Sequence, residues 1–221
     1  MILPLFDSKP RNVIAPVTLT VIVGNMILFA FQMLLAREGR LEAFFYEYAF
    51  IPASVHEQPL SETTTSVFTS MFLHANLLHL GVNLWFLFIF GPPVENRLGS
   101  LRTLLLYTIS GFGAAAAQFA VAPMSEIPMI GASGAVAGVL GGYLLLFPFA
   151  MVVTLVPWII PLIPVPAFVF LLLWFGLQFT MGMSQLMQTE ITGGIAWWAH
   201  IGGFIVGFCL TIVIRGRDRK R

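Results

Sequence analysis

Six apolar runs, separated by polar turns, set the plan of this chain: residues 13–36, 74–90, 103–121, 131–149, 167–183 and 197–214. Each approaches the roughly 20 residues a helix needs to cross a bilayer. In hydrocarbon every backbone N–H and C=O must find an internal partner, so runs of this length predict helices. Three connections stand apart. Segment 37–73 is a long outer loop, and its "FFYEYAF" predicts a stretch lying in the membrane interface. Segment 151–166 is apolar throughout, but Pro157, Pro161, Pro164 and Pro166 forbid a helix there. It is expected to be an interfacial connection. Segment 183–196 is polar and glycine-bearing, which predicts a mobile outer loop, and Trp197 and Trp198 then mark the membrane surface. With no internal repeat and no soluble stretch, residues 1–221 are expected to form one all-α, polytopic domain of six transmembrane helices.

Composition agrees with that pattern. Of the 221 residues 58% are hydrophobic and only 10% charged, against roughly 25% charged in a soluble domain. Such a chain cannot cover itself with polar surface, and its solvent is lipid. The net charge of +1 gives no reason to expect a nucleic-acid partner. The first apolar run begins after Asn12 and outlasts the roughly 7–15 residues of a signal-peptide core, so it reads as a retained span. Lys9 and Arg11, then Arg97 and Arg102, then the tail "RGRDRKR" all fall on one side when six spans are threaded. Arg37 and Arg40 dissent. The majority predicts both termini inside, with the basic tail drawn to anionic lipid; the membrane itself is expected to be a plasma membrane of prokaryotic type. Cys209 is the lone cysteine. It excludes an intrachain disulfide and a zinc cluster, and within an apolar run it predicts a small core residue.

The informative residues are the polar ones inside the spans, where they are costly and usually face a cavity. His79 and Asn83 lie four positions apart, on one face of the second helix. His74 points elsewhere, near the top of that helix, and is expected to tie the outer loop to it. On the sixth helix His200, Gly203 and Gly207 share a face, and Gly203 and Gly207 form a small-xxx-small pair that permits close approach. On the fourth helix Ser133, Ala137 and Gly141 form one small stripe, beside a second made of Gly134, Gly138 and Gly142. The small faces predict that the fourth and sixth helices meet backbone to backbone, bringing Ser133 to the depth of His200. A leucine at Gly203 should force them apart, and an alanine should be tolerated in part.

A serine within reach of a histidine is the arrangement for nucleophilic catalysis. The hydroxyl is a weak nucleophile and needs a base; an imidazole can take its proton near neutral pH. The oxyanion that follows needs fixed donors. His79, Asn83 and the backbone amide of Ser133, at the start of its helix, are the candidates. No carboxylate lies in a span near His200, so the chemistry reads as a Ser-His dyad, with no metal and no cofactor. Glu95 and Arg97 are expected to pin the inner turn.

The motifs "HANLLHLGVN", "ENRLG", "GASGA" and "AHIGGFIVG" together resemble those of the rhomboid intramembrane serine proteases. The resemblance covers the second, fourth and sixth helices. It implies a six-helix bundle with a water-filled cavity open to the outside. It implies Ser133 as nucleophile, His200 as general base, and His79, Asn83 and the Ser133 amide as oxyanion donors. It also implies single-span membrane proteins as substrates, cut in or near the span at a small residue. Two positions depart from the pattern. Ala137 stands where some members carry an aromatic that stacks on the catalytic histidine. Thr65 and Ser66 stand where some carry a Trp-Arg pair. The alternatives are an idle relative that binds transmembrane helices, whose signature would be loss of the serine or histidine, and a transporter, whose usual internal repeat is not found.

Overall fold

The structure, a computed structural model, describes residues 3–9, 14–156, 160–186 and 196–216. Helix α1 (Pro16–Arg37) leads into α2 (Leu41–Tyr48), a 3-10 turn (Pro52–His56) and α3 (Leu60–Ser70). Then come α4 (Leu77–Leu98), α5 (Ser100–Val121), α6 (Ser133–Leu146), α7 (Ala167–Leu186) and α8 (Trp197–Ile214). Among the described residues five of these, α1, α4, α5, α7 and α8, are long and apolar enough to cross a membrane. Helix α6, with 14 residues, is shorter. This is an integral membrane protein.

Helix α6 sits at the centre. From Gly134 to Tyr143 every residue is buried, as befits a helix apolar on all sides. It packs against α4, α5 and α8. The small stripes explain how three helices crowd around one. A β-carbon on Gly203 would run into the carbonyl of Gly134, and one on Gly207 into that of Gly138. One on Gly141 would strike the Phe204 carbonyl, and one on Gly138 would strike Ser110 of α5. The contact expected between the fourth and sixth spans therefore exists as α6 on α8, and it is tighter than expected. There is no room at Gly203 even for a methyl group, which corrects the expectation that alanine would be tolerated in part.

Cys209 is another correction. It is exposed, not in the core. It follows Gly207 by two positions, about 200° around the helix, which turns it away from the face that packs on α6.

The all-α expectation is corrected at the end of the bundle near Tyr143. Residues Leu3–Asp7, Met151–Val156 and Ile160–Pro166 form strands β1, β2 and β3 of an antiparallel sheet in the order β1-β2-β3. The prolines do exclude a helix, but the segment pairs as a hairpin and is not an irregular connection. Met151 lies opposite Pro166, Val152 opposite Val165 and Thr154 opposite Ile163. Proline lacks the ladder donor and is tolerated on an edge strand, and β3 is an edge. The other side of β2 takes β1, with a register shift between Pro4 and Phe6. Strand β1 is bound to the bundle: the Tyr143 hydroxyl donates to Asp7 Oδ2 at 2.7 Å, and Trp85 Nε1 donates to the Pro4 carbonyl at 2.6 Å.

Helix α4 outruns its expected end, continuing through Pro92 and Pro93 to Leu98. This extra length carries Glu95, which is buried. Its carboxylate accepts from the Val17 and Thr18 amides at 2.9 and 2.8 Å, from the Thr18 hydroxyl at 2.8 Å and from the Ser100 hydroxyl at 2.8 Å. It therefore caps the N-terminus of α1, whose free amides favour an anion. Most of the "FFYEYAF" segment lies in α2, with Phe44 edge-on to Phe31 of α1 at 5.7 Å. The expected mobile loop 183–196 lies largely outside the described residues, as do Arg11, Pro157 and most of the basic tail.

Candidate active site

Ser133 is the first residue of α6 and is half-buried. The helical ladder begins with Val136 N donating to the Ala132 carbonyl at 2.9 Å. The amides of the first turn before it have no intrahelical acceptor, so they are donors facing outward from the helix end. The chain enters through Gly131 at φ +125°, a backbone region that favours glycine. Its lack of a side chain is also a packing necessity. A β-carbon there would lie 2.8 Å from His79 Cε1 and Nε2 and 3.6 Å from Ser133 Oγ. His79 and Ser133 thus both lie beside Gly131. The approach is fixed by two further bonds: Gly131 N donates to the Ser70 carbonyl at 2.9 Å, and Ala132 N donates to His74 Nε2 at 3.5 Å.

His74 precedes α4 and is fully buried. Burial pushes its imidazole down to about 4; the neighbouring His79 acts in the same direction, while the Phe72 carbonyl opposes. It is neutral at physiological pH, as an acceptor of the Ala132 amide must be. Gln32 of α1 fixes the same residue by its backbone, donating to the His74 carbonyl at 2.8 Å and accepting from the His74 amide at 3.1 Å.

Asn83 lies one helical turn below His79 and is buried. Its Nδ2 has no hydrogen-bond partner among the described residues. A buried amide donor without a protein acceptor is costly, and such a donor is free to serve a ligand.

His200 lies in the first turn of α8. Its neighbour Ala199 is close to Gly134: a β-carbon on Gly134 would lie 3.6 Å from the Ala199 carbonyl. The backbone contact between α6 and α8 therefore brings Ser133 and His200 to the same end of the two helices. Among the described residues the two side chains do not hydrogen-bond to each other. Instead His200 Nδ1 is 2.7 Å from Gln178 Oε1 of α7. Trp174 and Trp197 flank the imidazole, with ring centroids at 6.2 and 6.0 Å. Ala137 holds no aromatic over His200; Trp174 from α7 and Trp197 from α8 surround it from other directions. Sequence reasoning missed Gln178, Trp174 and Gln32. The signal was there for both glutamines, since an amide side chain in an apolar span demands a partner.

No group of three or more His, Cys, Asp or Glu suited to a metal ion occurs among the described residues. The arrangement is a serine at a helix N-terminus, with His79 beside the preceding Gly131 and His200 at the same end of the neighbouring helix, in a polytopic membrane protein. A Rhomboid domain model matches residues 61–217, and the chain belongs to the rhomboid family.

Three relatives give the extent of that kinship. "RHOMBOID-like protein 6, mitochondrial" of Arabidopsis thaliana is 32% identical over 148 residues, 66% of this chain and 42% of the relative. "RHOMBOID-like protein 1" of the same plant is 28% identical over 221 residues, 87% of this chain and 51% of the relative. "Putative rhomboid protease YdcA" of Bacillus subtilis (strain 168) is 37% identical over 81 residues, 37% of this chain and 40% of the relative. The chain thus spans about half, or less, of the length of these relatives. Mitochondrial, chloroplastic and bacterial proteins all appear among the relatives, so kinship places the chain in a membrane without choosing which one.

Proposed function

We propose that this protein is an intramembrane serine protease that cleaves single-span membrane proteins in or near their transmembrane segment. Ser133 attacks the scissile carbonyl as His200 takes its proton. His79, Asn83 and the Ser133 amide hold the oxyanion, and His200 then returns the proton to the leaving amine. One observation carries the reading: Ser133, at the unpaired N-terminus of a buried helix, lies with His79 beside Gly131. The uncommitted Nδ2 of Asn83 one turn away supports it.

The short α6 suits a substrate that comes from the membrane. Its 14 residues span ~21 Å, against a hydrocarbon core of about 30 Å. As the remaining member of a six-span bundle, it sets Ser133 below the outer surface, at a depth water must reach through a cavity. Orientation follows the basic residues: Lys9, Arg97, Arg102 and Arg215 on the inner side, with both termini inside. Both residues whose loss would mark an idle relative are present. Residues 1–221 act in this scheme as one domain.

The test is reconstitution in liposomes with a model single-span substrate. Wild type should release fragments whose masses place the cut in or next to the span, and Ser133→Ala should release none. Fragments of equal yield from Ser133→Ala, or none from a folded wild type across several substrates, would overturn the proposal.

A further inference from the structure

The base of a serine hydrolase must be held in one tautomer. If Nδ1 carries the proton, Nε2 presents a lone pair to the serine; with the opposite tautomer there is no base. Serine proteases with a triad secure this with a buried carboxylate on Nδ1–H. Here α7, from Ala167 to Leu186, contains no Asp, Glu, Lys, Arg or His. Helix α6 contains none either. From α5, Arg102 stands at the far end of the bundle, beside Gly216. Among the described residues the titratable group that bears on His200 is His79 of α4. What meets Nδ1 is the side chain of Gln178, 5% exposed, with Oε1 at 2.7 Å. An amide oxygen has lone pairs and no proton, so the proton in this contact belongs to Nδ1.

We infer that Gln178 is a positioning residue for His200: its amide oxygen accepts the Nδ1–H and leaves Nε2 as the base for Ser133. This rests on Ser133 and His200 being the reacting pair. Two details favour it over simple packing. Trp174 and Gln178 are four residues apart on α7, one face of that helix, and both reach the same imidazole. The ring is thus fixed in plane by a hydrogen bond and flanked by an indole. An amide also suits the surroundings. It orients the ring without the desolvation cost of a buried carboxylate. When Nε2 takes the serine proton, the Nδ1–H bond to Gln178 becomes charge-assisted and strengthens, which favours the transition state over the ground state. The device is therefore a neutral third member of the site, supplied by a helix that carries none of the four rhomboid-like motifs.

The experiment compares Gln178→Met with Gln178→Glu, using cleavage in liposomes and ¹⁵N NMR of histidine-labelled protein, with His200 assigned through His200→Ala. Methionine matches the volume of glutamine and removes the acceptor. Glutamate keeps an oxygen at the same reach. Wild-type His200 should show a protonated Nδ1 and a bare Nε2, and Gln178→Met should show both tautomers. In that variant kcat should fall roughly 10- to 100-fold with KM unchanged, well short of the ~10⁴-fold loss seen when a triad's tautomer is reversed. Gln178→Glu should recover most of the activity. A packing role reverses this order, since methionine fits and a carboxylate does not. Full kcat in folded Gln178→Met, or a wild-type His200 protonated on Nε2, overturns the inference. The NMR arm needs no substrate, so it stands if the protease reading fails: an inactive wild type with a pinned Nδ1–H would sink the function and leave the contact.

Discussion

Gly203→Ala should cost much of the activity, although Gly203 touches no reacting atom. A β-carbon at Gly203 would lie 2.8 Å from the carbonyl carbon of Gly134 and 3.2 Å from its Cα. Carbon atoms rest at about 3.5–4.0 Å, so α8 must retreat from α6 by roughly 1 Å. The obstacle is backbone, which cannot swing aside as a side chain would. Gly134 follows Ser133 directly, and His200 lies three residues before Gly203, so the retreat opens the gap between Ser133 and His200, the proposed nucleophile and base. A misplacement of about 1 Å costs on the order of 10²-fold in rate, and overpacking costs about 1–3 kcal/mol in stability. Helix propensity runs the other way, favouring alanine over glycine by about 1 kcal/mol, so any net loss comes from the contact. The assay is kcat/KM on a single-span substrate in liposomes, paired with thermal unfolding in detergent. Gly24→Ala is the control, because nothing lies within 4 Å of its β-carbon, and it should match or exceed wild type in both. Near-wild-type cleavage by folded Gly203→Ala would refute the claim that this contact sets the distance between Ser133 and His200.

Two other substitutions probe separate parts of the account. Asn83→Ala should lower kcat by less than the roughly 10²–10³-fold typical of losing an essential oxyanion donor, because His79 and a backbone amide remain. An unchanged kcat would reassign Asn83 to packing. Glu95→Ala strips three acceptor bonds from the α1 cap and a fourth from Ser100 of α5 and should lower stability by about 3 kcal/mol, while kcat per folded molecule holds. A coincident loss of kcat would mean that the α1–α4 junction controls the site.

The apolar helices were legible because lipid leaves the backbone few options, and the glycine stripes were legible because only small residues let helices meet. The same pattern placed Ser133 and His200 at one end of α6 and α8. The sheet was not legible. "MVVTLV" is rich in β-branched residues, as strands are, but its apolarity made it look like lipid contact, and its partner β1 is about 150 residues away. The tightness at Gly203 was also out of reach, since a small-xxx-small pair predicts approach and not its distance. The environment of His200 was hidden for another reason: the search for an orienting group looked for carboxylates, and the group in place is an amide. The exposure of Cys209 could have been read from its position relative to Gly207.

Activation of Ser133 by His200 is read by mass spectrometry of the intact, folded protein after treatment with a fluorophosphonate, which forms a stable adduct only on an activated serine. Wild type should carry one adduct, mapped to the peptide containing Ser133, and His200→Ala should carry none. An adduct on another residue, or equal labelling of Ser133 in His200→Ala, would contradict the account.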